Sequence, residues 1–215
     1  MATPQLVLAS TSRYRAALLA RLELPFETLA PDYDEDAAAA RHPELAPAEL
    51  ARQLARGKAA SLRAARPGAW ILAADQVGVL EPPGAPKLLR KAGSEAAALA
   101  QLLEMAGRTH ELITAVVLAS PDGSAPREAL DRQRLRMRRF DRAEARDYVQ
   151  RHRPLDCAGS YRIEDAGILL FEWIESRDFT GIIGLPLLSV ARLLREAGLL
   201  GGACATPSHT AQRPR

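Results

Sequence analysis

The chain opens on a short apolar run, Leu6 to Ala9, followed by Ser10, Thr11 and Ser12 and then by leucines at 18, 19 and 22. The run predicts a buried strand, and the leucine spacing predicts a helix capped by Ser12. Phe26 to Leu29 reads as a short strand, and Asp32, Asp34, Glu35 and Asp36 as an acidic loop. Pro47 to Ala65 carries Leu50, Leu54 and Leu62 on one helical face, with Lys58 inside that apolar arc. Gly57, beside it, weakens a helix by about 1 kcal/mol relative to alanine. Trp70 to Leu80 is apolar almost throughout and predicts a central strand buried on both faces, with Asp75 in its middle. In a regular strand Gln76 faces the other way, so both residues can line one site only if the strand ends or bulges there.

The second half continues in the same alternation. Glu81 to Ala92 reads as a loop rich in proline and glycine, and Ser94 caps a helix that Gly107 stops. Glu111 to Ala119 is a strand, Pro121-Asp122-Gly123 a turn, and a hairpin partner follows. In that partner Arg132, Arg134, Arg136 and Arg138 alternate with Gln133, Leu135 and Met137, which makes a strand with one basic face. Asp141 and Glu144 open a helix to about Arg151 in the manner of a capping box. The segment from Pro154 to Asp165 is polar and glycine-containing, hence a loop, and Ile168 to Ile174 is a strand. Pro186 starts a last helix, Leu187 to Ala197, closed by Gly198. Residues 201–215 lack periodicity and read as a disordered tail. The pattern predicts an α/β fold with a mixed sheet and no dividing linker.

Composition narrows the classes. Of 215 residues, 47% are hydrophobic, enough for a core of normal size, and the formal charge of +3 permits an anionic small molecule without demanding nucleic acid. Two cysteines without paired spacing argue against a disulfide scaffold and suit a reducing cytosol. No signal peptide is visible and no stretch approaches ~18 uninterrupted apolar residues. The four histidines show no ligand spacing, so any metal is expected on carboxylates. The arginine strand lacks the interleaved aromatics that single-strand binding wants, and its alternation suits a solvated strand face.

Three places carry candidate chemistry. A strand running straight into a helix start leaves backbone N–H groups and a positive dipole end at the turn. With hydroxyls, Arg13 and Arg15 close by, the turn is either an anion site suited to phosphate or an ordinary capped helix with surface arginines. The acidic run is either solvated or supplies a carboxylate that holds Mg²⁺. Asp75 is either satisfied by neighbouring backbone or is a catalytic or metal-binding carboxylate at a cleft. Asp156, Glu164 and Asp165 are further candidate acids, and Gly159 and Ser160 could offer N–H groups to an anion.

The residues LASTSRYR with its SxxR element (Ser12 to Arg15), PDYDE, LARGKA around Lys58, AADQV around Asp75, PLDCAGSY (Pro154 to Tyr161) and GLPL (Gly184 to Leu187) stand in the order and spacing of one family. From about Gln5 to Gly198 the chain resembles the Maf-type nucleotide pyrophosphatases. The resemblance implies a single α/β domain over residues 1–200, with an elongated mixed sheet flanked by helices and two lobes around a deep nucleotide-binding cleft, like that of inosine triphosphatases. It implies hydrolysis of a nucleoside triphosphate between the α and β phosphates with a divalent cation, Mg²⁺ or Mn²⁺, in the cytoplasm, and members are often homodimers. Carried over residue by residue, Ser10, Ser12 and Arg15 grip phosphate, while Lys58 and Lys91, with Lys87 as the rival, neutralise charge. Glu35 and Asp75 hold metal, and Asp75 is the proton acceptor. Tyr14, Gln76 and Glu164, with Cys157 in PLDCAG, resemble the branch acting on 7-methyl-GTP, whose cationic base suits an aromatic face and a carboxylate. The alternatives are a pyrophosphatase for dTTP, UTP and modified pyrimidine nucleotides, a nucleotide-binding regulator of septum formation, and an RNA-binding module on the arginine strand. The chain departs from the family at the loop before Lys91, which usually carries Gly-Lys-Pro, at Gly57, where glutamate is usual, and at Arg13, where proline is common.

Overall fold

The computed structural model describes residues 5–81 and 86–201. The expected tail lies almost wholly outside the described residues, as does the stretch 82–85 of the expected loop. Among the described residues seven strands form one mixed sheet in the order β2-β1-β3-β5-β6-β7, with β4 on the edge of β3. They are β1 (Leu6–Ala9), β2 (Glu27–Leu29), β3 (Trp70–Leu80), β4 (Lys87–Leu89), β5 (Thr109–Ala119), β6 (Arg127–Met137) and β7 (Phe171–Glu175). The helices are α1 (Arg13–Ala20), α2 (Glu35–Ala40), α3 (Pro47–Ser61), α4 (Glu95–Met105), α5 (Arg142–His152), α6 (Thr180–Ile183) and α7 (Leu187–Glu196).

β3, β5 and β6 each run 11 residues, roughly 36 Å at a strand's usual rise, and form the long axis of the molecule. Apolar side chains alternate across them and build a core on each face. On one face Ile71, Ala73, Val77 and Ile113 meet Leu50, Leu54 and Ala55 of α3. On the other, Leu72, Ala74, Val116 and Leu118 meet α1 and α7. A third core gathers where the long strands run on, with Leu80, Leu89, Leu102, Met105, Met137 and Tyr148 between the sheet and helices α4 and α5. This is the two-ended, elongated α/β arrangement expected from the motifs.

The edge of β3 positions the site. Its pairing with β1 ends at Leu8↔Leu72, and its pairing with β4 begins at Gly78↔Leu89. Residues 73–77 therefore have a neighbour only on the β5 side, where the ladder runs unbroken from Ile71 to Leu80.

Several local expectations change. The acidic run is not a loop throughout: Asp34 caps α2, accepting from Ala37 N at 2.9 Å, and Glu35 opens that helix. The expected loop from Glu81 contains β4, because Lys87–Leu89 finds a free edge on β3. The strand expected from Ile168 begins only at Phe171; Gly167–Leu170 is a 3₁₀ turn, entered through Ala166 in a left-handed conformation. The basic face of β6 is solvated and ion-paired, with Arg132 on Glu111, Arg134 on Glu81 and Arg136 on Glu172. Among the described residues no helix is long and apolar enough to cross a membrane.

Candidate active site

A cleft of about 680 Å³ opens at the bare edge of β3, lined from β1, α1, α3, β3 and the Asp156–Glu164 loop. It brings together the residues carried over from the family motifs: Ser10, Ser12, Tyr14, Arg15, Glu35, Lys58, Asp75, Gln76, Lys91 and Glu164. Lys87 is not among them; it is exposed and paired with Glu104, whereas Lys91 Nζ reaches Glu35 Oε2 at 3.3 Å. Of the two lysines, Lys91 is the one that lines the cleft.

At the phosphate turn the chain follows its capping chemistry. Ser12 is the N-cap of α1 and its hydroxyl oxygen accepts from Arg15 N at 3.3 Å. Ser10 Oγ accepts from Ser12 N at 3.1 Å. Both hydroxyls thus keep their protons for an incoming anion, at the positive end of the α1 dipole. Arg15 donates Nε to Gly184 O at 2.9 Å, which leaves its two terminal nitrogens for phosphate. Gly159 and Ser160, candidate N–H donors to an anion, are not among the residues that line the cleft. Ser160 is buried and its N–H donates to Cys157 O at 3.2 Å inside the loop.

The charged centre is built from α2, α3 and β3. Asp75 is 3% exposed and Lys58 4%, and they are hydrogen-bonded to each other. Lys58 Nζ also meets Glu35 Oε1 at 2.8 Å, so one ammonium bridges two carboxylates and Lys91 closes the group from the rim. Burial pushes the Asp75 carboxyl above its ordinary value; Lys58 pulls against this and Glu35 adds to it. For Glu35, burial acts in the same direction, but Lys58 and Lys91 outweigh it and hold the group below its ordinary value. Two neighbouring carboxylates are therefore driven apart in proton affinity, as acid–base sites require.

Gly57 has a reason in this cluster. The ring of Tyr33 lies against it, and a Cβ at that position would collide with the ring. The missing Cβ lets Tyr33 approach α3, and two residues later Glu35 arrives at Lys58. Sequence reasoning passed over Tyr33 because the contact joins residues 24 apart.

The recognition side has its own supports. Tyr14 Oη is 3.3 Å from Asp165 Oδ2 and accepts from Arg13 Nη2 at 2.7 Å. The Arg13 guanidinium also lies over the Tyr14 ring, 4.7 Å from its centroid, so one aromatic face is already covered by a cation. Arg162, not foreseen as a site residue, lines the cleft and pairs with Asp156 and Asp165. An arginine just ahead of the two acids Glu164 and Asp165 in the SYRIED stretch was the available signal. Glu164 is exposed on the cleft wall, and among the described residues it makes no ion pair. The Cys157 thiol is pushed up to about 11 by burial and then by Asp156, which makes it a poor nucleophile.

Fold and site together define an α/β protein whose long sheet carries a charged, anion-ready cleft at a break in one strand's pairing. The chain belongs to the Maf-like protein family, whose model matches residues 5–197. It is similar to the 7-methyl-GTP pyrophosphatase of Xanthomonas oryzae pv. oryzae (strain MAFF 311018), 45% identical over 195 residues that cover 91% of this chain and 97% of that protein. It is also similar to the 7-methyl-GTP pyrophosphatase of Bdellovibrio bacteriovorus, 43% identical over 199 residues, 93% of this chain and all of the relative. Among solved structures, a nucleoside-triphosphatase / dITP/XTP pyrophosphatase from Mycobacterium abscessus overlaps 63% of this chain and 75% of its own, at 22% identity and a TM-score of 0.38.

Proposed function

We propose that this protein is a nucleotide pyrophosphatase that hydrolyses 7-methyl-GTP to 7-methyl-GMP and pyrophosphate. The observation that carries the reading is the Glu35–Lys58–Asp75–Lys91 cluster at the foot of the Ser10–Arg15 turn, in one cleft with Tyr14, Gln76 and Glu164. The names of the relatives support the same substrate.

The roles follow from what each group offers. Ser10, Ser12, Arg15 and the start of α1 bind the triphosphate, and Lys58 and Lys91 offset its charge. Asp75, kept proton-hungry by burial, takes a proton from water as the water oxygen bonds to the α-phosphorus. The bond from that phosphorus to the bridging oxygen breaks, and pyrophosphate leaves with the electron pair. Glu35 and Asp75 each place a carboxylate oxygen on the Lys58 ammonium, and these two carboxylates are the side chains that would hold a hard cation such as Mg²⁺ or Mn²⁺. Among the described residues no three such side chains converge, so phosphate and water would supply the remaining ligands. Such a cation would polarise the phosphoryl group and stabilise the departing charge. Glu164 and the free face of Tyr14 suit the cationic methylated base.

The reading extends to a cytoplasmic protein, in keeping with its two cysteines of unpaired spacing, and to a homodimer, which sedimentation would test. No nucleic-acid partner is expected, since the β6 arginines are occupied by carboxylates of the same chain.

The test is pyrophosphate release from 7-methyl-GTP, GTP, UTP and dTTP, with Mg²⁺ and with EDTA. Release strongest with 7-methyl-GTP and abolished by EDTA is expected. Release strongest with UTP or dTTP would overturn the base assignment and leave the chemistry. No release from any of the four by folded protein would sink the enzyme reading.

A further inference from the structure

Gln76 is held from behind. Its Nε2 donates to Gly181 O at 2.8 Å and to Thr114 Oγ1 at 3.0 Å. A peptide carbonyl can only accept, so the amide nitrogen must face it, and this sets the orientation of the whole amide. Both amide hydrogens are engaged, and Oε1 remains for the cleft that Gln76 lines. Thr114 is fully buried, and its own proton points to the same Gly181 oxygen at 3.4 Å. Its lone pairs are thereby left to Gln76. Gly181 lies so close to β6 that a Cβ there would collide with Asp131 and Gln133. That approach brings its carbonyl within reach of β3.

We propose that Thr114 and the Gly181 carbonyl are positioning groups that turn the Gln76 oxygen into the cleft as a fixed hydrogen-bond acceptor, so that the site selects a base whose ring edge carries N–H donors. Guanine, with N1–H and the 2-amino group, has such an edge. Adenine carries a donor in its 6-amino group but presents a lone pair at N1 where guanine presents N1–H, so at that position two acceptors face each other and adenine is disfavoured. The segment carries a second support of the same kind, since Gly184 O holds Arg15. Base reading and phosphate binding are thus braced by one short stretch of backbone. The proposal rests on the pyrophosphatase reading for its substrate, and its geometry can be tested without turnover.

The experiment compares kcat and KM for 7-methyl-GTP and ATP in the wild-type protein, Thr114→Val and Thr114→Ser, with thermal melts as a folding control. Removing the hydroxyl is expected to lower the preference for 7-methyl-GTP over ATP by about 10-fold, the worth of one well-placed hydrogen bond, through KM and with kcat little changed. Thr114→Ser, which keeps the hydroxyl, should restore the preference. A folded Thr114→Val with unchanged preference, or a Thr114→Ser as impaired as the valine variant, overturns the proposal. The second arm is hydrogen exchange of the Gln76 side-chain amide in the wild-type protein, read by NMR against the exposed Gln150. Slowed exchange at Gln76 is expected, and exchange as fast as at Gln150 overturns the proposal even if Thr114→Val fails to fold. If no triphosphate is turned over, the enzyme reading fails, and this arm still decides the geometry.

Discussion

The two sides of β3 meet at adjacent residues and are built differently. On the α3 side, Asp75 sits in a buried cluster of two carboxylates and two lysines, with proton affinities driven apart. On the α6 side, Gln76 is neutral and held by a hydroxyl and a carbonyl. The charged side suits proton transfer and phosphate chemistry, where differential electrostatics dominate. The neutral side suits discrimination between bases, where an unpaired hydrogen-bonding group is the penalty. One strand carries both because its edge is bare just where they alternate.

The sharpest way to break this division is Asp75→Asn. On the α3 side as described, pyrophosphate release should fall by at least ~100-fold in kcat with KM little changed. A loss confined to KM would move Asp75 to the binding side. A pH experiment separates the site from the fold. His110 is fully buried beside Tyr161, and burial lowers its imidazole to about 3. The unfolded chain takes up that proton near 6.5 and the folded one does not, so the contribution is complete above pH 6.5 and is lost as pH falls toward 3. Denaturant melts should lose about 2 kcal/mol between pH 7 and pH 5 at ~1.4 kcal/mol per unit, and His110→Gln should flatten that slope. An unchanged slope in the variant would assign the acid sensitivity to another group.

Gly57→Ala probes the α3 side from outside its charges. Alanine favours the helix, yet its methyl must displace Tyr33 and with it Glu35. We expect helix stability to hold while kcat/KM drops about 10-fold through misplacement; wild-type kinetics would show that Glu35 does not depend on Tyr33. The smallest effect is expected on the recognition wall. Glu164→Ala should reduce the preference for 7-methyl-GTP over GTP about threefold, the size of an exposed charge interaction, and leave GTP hydrolysis nearly unchanged. Equal losses on both substrates would count against a role in reading the methylated base.

Much of this was legible in the chain itself. Lys58 inside the apolar arc of α3 and Asp75 within an apolar strand are violations of local pattern, the Ser12 cap marks a helix start directly after a strand, and all three residues line the cleft. What the pattern could not show depends on pairing between distant segments. Period-two alternation puts Asp75 and Gln76 on opposite faces, and a bulge or strand end was the expected way to bring both to one site. The strand is in fact unbroken; the missing piece is in its neighbours, β1 ending at one side of the gap and β4 beginning at the other. The same holds for Gly57, a blemish in a helix until Tyr33 is placed. Lys91 over Lys87, and the 3₁₀ turn at Gly167–Leu170 in place of a strand, likewise depend on where the neighbouring segments pack.

The bare edge of β3 also has a consequence for how such a protein changes over generations. Insertion or deletion of one residue between Leu72 and Asp75 would exchange the two faces, sending the glutamine toward Lys58 and the aspartate toward α6. Point substitutions do not have that effect. A lineage can alter position 76 and its backing at 114 and 181 while position 75 stays in place beside Lys58, so substrate range can drift while the hydrolytic machinery is inherited intact.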